Sequence, residues 1–328
     1  MSLGIVASRA FLYGLNHIET TGLDHLLNVL DRRKSQGDNR DCGLLTVCNH
    51  VGVLDDPLIW GILPLRYALD VNNLRWALGA HDICFKNRIL STFFSLGQVL
   101  PTRRLWHSPL GGLYQPTMTQ AIGLLSSPRA PPMLQASSST YSTDGKDCFP
   151  APAAYRTSRN AWLHVFPEGC CHQSADSRLR YFKWGISRLI LETEPAPDFM
   201  PIFIHGTQSI MPEDRTWPRW LPRIGNKIKI VVGQAINTNR IFGSHRTTWK
   251  RLLASHDSDN GLKHNSPDAI QLRVDVARLV RDEVQKLRLG LGLPPEPDDS
   301  AALAETWAKE PNKRKFKSPV DGSIVNRH

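Results

Sequence analysis

GLLTVCNHVGVLDDPLIWG, residues 43–61, sets the fold. Gly43 to Cys48 is a short apolar run rich enough in β-formers to be a buried strand. Asn49 and His50 leave it as a polar pair at its carboxyl end. After a brief loop, Asp55-Asp56-Pro57 opens a helix, because an Asp caps exposed amide groups and Pro57 sits near the first helical position. The local order is strand, loop, helix. It recurs downstream, where Trp162 to Phe166 reads as a second strand, Pro167-Glu168-Gly169 ends it, and Phe182 to Glu194 reads as a helix. A third strand runs from Phe199 to His205. Lys227 to Val232 alternates at first, which predicts a half-exposed strand near an edge. Gly22 to Arg33, with Leu23, Leu26, Leu27 and Leu30 at helical spacing, precedes the central strand; a late helix opens at Pro267 and closes at Gly290. Together these elements predict an α/β fold with a mixed β-sheet flanked by helices.

The 328 residues suffice for one large domain or two modest ones, and 41% hydrophobic against 21% charged residues excludes bulk disorder. A formal charge of +10 favours polyanionic partners: nucleic acid, anionic lipid or phosphorylated substrates. The six Cys have no C-x-x-C spacing, and Cys170 adjoins Cys171, which suits neither a zinc ribbon nor a disulfide framework. No metal or cofactor is implied. No apolar run reaches the ~18 residues of a bilayer-spanning helix, so the chain is expected to be soluble or to lie on a membrane. Residues 1–40 read as an N-terminal helical, membrane-surface segment; Met1 to Leu15 is largely apolar, with Arg9 its only charged side chain. The main domain is expected over 41–293. It carries a flexible insertion at 126–160, where Ser, Pro, Ala and Thr dominate. Residues 294–328, acidic and then basic, read as a mobile tail.

His50 and Asp55 form H-x-x-x-x-D, a base with an acidic partner that fixes its tautomer. About one such pair arises by chance at ordinary composition, so position decides. Both residues flank the loop leaving a buried strand, where open α/β sheets place ligands. Glu168 is expected at the same sheet edge, with Gly169 admitting a ligand to the backbone; a proline-glycine turn is the plainer reading. Gly97 to Pro101, followed by Thr102, Arg103 and Arg104, offers paired guanidinium groups for phosphate, against a solvated basic turn. Arg178, Arg180, Lys183 and Arg188 form a second basic cluster, either a headgroup site or a solvated helix face. In RTWPRWLPRI, Trp217, Trp220, Leu221 and Ile224 alternate with Arg215, Arg219 and Arg223, while Pro218 and Pro222 oppose a regular helix. That composition suits a lipid headgroup interface. Single-stranded nucleic acid also binds aromatic-basic surfaces, but no recognition fold accompanies this one.

NHVGVLDDP (49–57), Gly97 to Arg104, FPEG (166–169) and Met200-Pro201-Ile202 occur in an order that resembles the glycerolipid acyltransferase superfamily. DDPLIWG (55–61), LRWALGAHDICF (74–85), FFSLGQVLP (93–101) and RYFKWGISRLI (180–190) are similar to its phospholipid–lysophospholipid transacylase branch. The resemblance covers most of residues 40–235. It implies His50 as general base, Asp55 as its partner, and Glu168 and Gly169 at the acceptor-binding edge. Gly97, Arg180 and Lys183 join the substrate-binding set. Phosphate falls to Arg103, where the superfamily expects one Arg, or to Arg104, the place used in this branch. Trp217, Trp220 and Leu221 would enter one leaflet. The implied reaction has His50 deprotonate a lysophospholipid hydroxyl that attacks an acyl ester of a donor phospholipid, with no covalent acyl-enzyme needed. An acyl-CoA donor is the enzymatic alternative, and a non-catalytic basic membrane module the third reading. The branch further implies phospholipid and lysophospholipid substrates including cardiolipin and lysocardiolipin, cardiolipin remodelling, and a peripheral or monotopic place on mitochondrial membranes facing the intermembrane space.

Overall fold

The computed structural model describes residues 2–105, 107–127, 140–141, 149–150, 160–254, 265–311 and 315–326. The central strand is β2 (Leu44–Cys48), buried along its whole length. It follows α1 (Ser2–Leu15), β1 (His17–Thr21) and α2 (Leu23–Gln36), and leads through the His50 loop into α3 (Asp55–Ile59). Next come α4 (Leu65–Ala68), β3 (Arg75–Ala80), α5 (His81–Cys84), α6 (Arg88–Leu96), β4 (Val99–Thr102) and α7 (Pro116–Leu125). Two short strands, β5 (Thr140–Tyr141) and β6 (Phe149–Pro150), pair with each other. The chain continues with β7 (Trp162–Val165), α8 (Gly185–Leu191), β8 (Asp198–His205), β9 (Lys227–Val232), β10 (Ile236–Asn237), α9 (Thr238–Ala254) and α10 (Pro267–Gly290). It ends in α11 (Ala304–Ala308), β11 (Lys315–Lys317) and β12 (Ile324–Asn326).

The main sheet runs β1-β9-β8-β2-β7-β3-β4, with β10 beside β8. β8, β2, β7, β3 and β4 are mutually parallel, whereas β9 runs antiparallel to β8 and carries β1 parallel to itself. The expected mixed α/β sheet is therefore present. Strand alternation divides the core. Leu45 and Val47 of β2 face a cluster built with α7, α8, α9 and α10. Leu44 and Cys48 face the opposite cluster, with Leu12 of α1, Leu26 and Leu30 of α2, and Leu58 and Ile59 of α3. Each fully buried large aliphatic chain contributes roughly 1.5–3 kcal/mol by leaving water.

Two expected boundaries are corrected. Residues 1–40 are not a separate segment: β1 extends the main sheet in register with β9, from His17 opposite Lys227 to Thr21 opposite Val231. Arg9 of α1 also donates to the carbonyls of Gly61, Ile62 and Leu63. The tail is not loose either. Trp307 is buried and its indole N–H donates to the Ala301 carbonyl at 2.8 Å. Glu310 pairs with Arg180 at 2.7 Å, and Asp321 with His172 at 2.8 Å. These partners lie more than a hundred residues upstream, so composition alone gave no sign of them.

Most of the 126–160 insertion lies outside the described residues. Its ends meet, since the Asn160 N–H donates to the Ser126 carbonyl at 3.0 Å. Among the described residues no helix is long and apolar enough to cross a membrane.

Candidate active site

Parallel pairing brings the carboxyl ends of β2, β7 and β8 to one edge. Asn49 fixes the exit of β2 by accepting from the Ile204 N–H at 2.8 Å and donating to its carbonyl at 2.9 Å. His50 follows. Its Nδ1 lies 2.9 Å from Asp55 Oδ2 and its ring stacks on Phe166, with centroids 4.5 Å apart. Asp55 is fully buried, and its Oδ2 also accepts from the Val51 and Gly52 N–H groups at 2.7 and 2.8 Å. Thr207 donates to Oδ1 at 2.6 Å. The anticipated amide capping thus serves the loop before α3. A carboxylate so held accepts Nδ1–H and leaves Nε2 with its lone pair for chemistry.

Glu168 meets His50, as expected, through the backbone: its Oε1 accepts from the His50 N–H at 3.1 Å. Its carboxyl is buried, which pushes its pKa up against the opposing pull of His172. Gly169 turns the chain at φ 68°, and a Cβ there would stand 2.9 Å from the Lys183 side chain. Lys183 therefore covers this turn. Beyond it, Cys171 Sγ lies 3.4 Å from His50 Nε2. Burial alone would lower the pKa of His50, but the charge of an ionised Cys171 and the Asp55 carboxylate outweigh it and hold the imidazole well above its ordinary value.

The remaining candidates divide. Arg103 and Arg104 follow the carboxyl end of β4, on the same edge but three strands from β2, roughly 14 Å away at ordinary strand spacing. Arg104 is engaged by Asp82 through both Nε and Nη2. The Arg103 guanidinium makes no ion pair among the described residues, while its backbone is clamped by Gln115 at 2.7 and 3.0 Å. Gly97 is elsewhere. It closes α6 before β4 begins, so the length of β4, roughly 13 Å, separates it from the Arg103 edge. Arg180 is buried against Glu310 and lies over the Trp307 ring at 4.5 Å, an internal pair rather than a headgroup site. Desolvating a guanidinium demands such a partner.

Trp217 and Trp220 are 84% and 72% exposed, and Leu221 and Ile224 also face outward. Their loop leaves β8 at the edge that holds His50. It is tied to the end of α1 by the Gly225 N–H donating to the Leu15 carbonyl at 2.7 Å. A second apolar face was not anticipated. Ile89, Phe93 and Leu96, at i, i+4 and i+7 of α6, are 82%, 68% and 74% exposed, and no residue of this helix is buried. Their spacing was readable, but only the fold shows that this face stays largely exposed among the described residues. Cys171 and Thr207 were missed because their meeting with His50 and Asp55 depends on strand register. Among the described residues no group of three or more His, Cys, Asp or Glu is placed to hold a metal ion.

The profile of the Acyltransferase family matches residues 18–205. Tafazzin of Saccharomyces cerevisiae is 33% identical over 98% of this chain and 84% of its own length. A Dictyostelium discoideum protein named Taffazin is 33% identical over 72% of this chain and 68% of its own. N-acylphosphatidylethanolamine synthase of Arabidopsis thaliana is 35% identical over 65% and 61%, respectively. With a His–Asp pair at the carboxyl edge of its sheet and these relatives, the chain belongs to the acyltransferase family, in its tafazzin branch, and its chemistry is phospholipid acyl transfer.

Proposed function

We propose that this enzyme moves an acyl chain from a phospholipid to a lysophospholipid without CoA, with cardiolipin and lysocardiolipin among its substrates, on mitochondrial membranes facing the intermembrane space. The observation that carries the reading is the His50–Asp55 pair, oriented through Nδ1 with Nε2 directed at the site. His50 takes the proton of the acceptor hydroxyl, and the oxygen attacks the acyl carbonyl. Asp55 holds the imidazole in its tautomer and stabilises the imidazolium that forms. Glu168, Gly169 and Lys183 shape the acceptor edge. Arg103 binds phosphate, because Arg104 is engaged by Asp82.

Two outward faces support membrane contact. The Trp217 loop carries Arg215, Arg219 and Arg223, and residues 85–104 around α6 carry Lys86, Arg88, Arg103 and Arg104 with no acidic residue. Exposed apolar side chains with basic residues close in sequence suit an anionic lipid surface. The reading is tested by incubating the purified chain with acyl-labelled phosphatidylcholine and lysocardiolipin in the absence of CoA. Label should appear in the acceptor. Strict dependence on added acyl-CoA would reject the transacylase and favour an acyl-CoA donor.

A further inference from the structure

His50 is held by its main chain as well as by its ring. Its N–H donates to Glu168 Oε1 at 3.1 Å, and its carbonyl accepts from the His172 N–H at 2.8 Å. The next carbonyl, that of Val51, accepts from Gln173 Nε2 at 3.0 Å. All three partners belong to the loop between β7 and α8. Between Val165 and Gly185 that loop forms no helix and a single isolated bridge, at Gln173, so its grip on His50 depends on what holds the loop in turn.

The C-terminal hairpin holds it. The Ile324 N–H, at the start of β12, donates to the Gln173 carbonyl at 3.2 Å. Asp321, between β11 and β12, meets His172 Nε2 at 2.8 Å, and Ser323 Oγ lies 3.2 Å from Nδ1 of the same ring. A carboxylate only accepts, so Nε2 carries a proton here. The Trp307 ring stands nearly perpendicular to the imidazole, with centroids 5.1 Å apart. This contact is shut off from water, because the His172 side chain is fully buried and that of Asp321 is 5% exposed. The carboxylate is itself oriented by the Ser323 N–H, which donates to Oδ1 at 3.0 Å. Burial would raise the pKa of Asp321, but its hydrogen bonds with His172 and Ser323 outweigh that and hold the carboxyl well below its ordinary range.

We propose that Asp321 is a positioning residue for phospholipid acyl transfer: by holding the His172 ring it fixes the His50 main chain, and so the place of the His50 ring. The ring that Asp321 holds and the N–H that holds His50 belong to one residue, so the link has no flexible step. Without the carboxylate a buried N–H of His172 is left unpaired, and the ring must turn to recover a partner. The main chain behind it moves with that turn. A displacement of about 1 Å at a reacting group costs on the order of 10²-fold in rate, which is far more than the loss of one hydrogen bond suggests. The inference rests on His50 as the base proposed above and is independent of which donor supplies the acyl chain.

The test measures transfer by the full chain in vesicles of acyl-labelled phosphatidylcholine with lysophosphatidylcholine, using labelled acyl-CoA instead if phosphatidylcholine gives no transfer. Asp321→Ala should lower kcat by about 10- to 100-fold and leave KM for the acceptor within about threefold of wild type. Asp321→Asn, which keeps a hydrogen bond to His172 through the other ring tautomer, should retain kcat within about threefold. Rates are taken well below each variant's thermal midpoint, followed by circular dichroism, because a loss of folded protein shrinks on cooling and a misplaced base does not. The proposal is overturned by a kcat of Asp321→Ala within about threefold of wild type, by a loss confined to KM, or by one that disappears on cooling. Asp321→Asn as slow as Asp321→Ala also overturns it. Should Asp321→Ala not fold, Ser323→Ala removes the Nδ1 contact alone and should lower kcat by about 3- to 10-fold; an unchanged kcat there overturns the proposal. His50→Ala, run beside these variants, separates the failures. Inactive His50→Ala with active Asp321→Ala defeats the positioning role alone, whereas fully active His50→Ala defeats the base on which that role rests.

Discussion

His50 is tuned by two neighbours that act against burial, Cys171 and Asp55. Because its pKa is raised, the neutral imidazole, the form the proposed base requires, becomes populated only as pH climbs above the ordinary histidine value of about 6.5. Transfer rate should therefore rise with pH through a limb displaced to the alkaline side. Asp55→Asn removes one of the raising contacts, so the limb should move to lower pH while the maximal rate falls by about 10²- to 10⁴-fold. A pH–rate profile of both proteins checks this; an unshifted limb would detach Asp55 from the base. The two arginines at the end of β4 make a second contrast. Losing a charge-assisted phosphate contact costs about 1.5–3 kcal/mol, so Arg103→Ala should raise KM for lysophospholipid by about 10- to 100-fold. Arg104→Ala, which breaks the pair with Asp82, should change KM by less than about threefold. Steady-state kinetics on both variants decides, and equal effects would return the role to the pair.

Among elements, the C-terminal segment has the clearest consequence. Arg180→Ala removes the cationic partner of the buried Glu310, which keeps the Ser318 hydroxyl, and takes the guanidinium from over the Trp307 ring. Removing one partner of a buried ion pair costs about 3–5 kcal/mol, so urea unfolding should show a loss approaching that size. A loss below about 1 kcal/mol would mean that the segment does not hold the loop after Glu168. The contrast with the sequence reading has a physical cause. Buried apolar runs such as β2, β7 and β8 announce themselves by composition. Others did not: β1 is polar and half-exposed, β3 begins at Arg75, which is buried beside Asp56, and β4 contains Pro101. A proline is tolerated in β4 because an edge strand leaves some N–H positions unused. His50 and Asp55 were legible because they flank a recognisable strand exit. Cys171 was not, since its approach follows from the register of β2 on β7, Leu44 opposite Trp162 through Val47 opposite Val165.

At the scale of the whole molecule, the proposed reading makes the exposed α6 face and the Trp217 loop separate contacts with a lipid surface. Replacing Ile89, Phe93 and Leu96 with Ser, or Trp217 and Trp220 with Ala, should each weaken co-sedimentation with anionic vesicles by about tenfold or more without altering circular dichroism. With a formal charge of +10, binding should also weaken with salt. Unchanged binding in either variant would remove that face from the membrane contact. The central claim is tested most directly by one transfer measurement. Purified protein, given labelled phosphatidylcholine and lysocardiolipin without CoA, should deliver label to the acceptor, and His50→Ala should lower that transfer by about 10²- to 10⁴-fold while keeping fold and vesicle binding. Full activity of His50→Ala, or transfer seen only with added acyl-CoA, would contradict it.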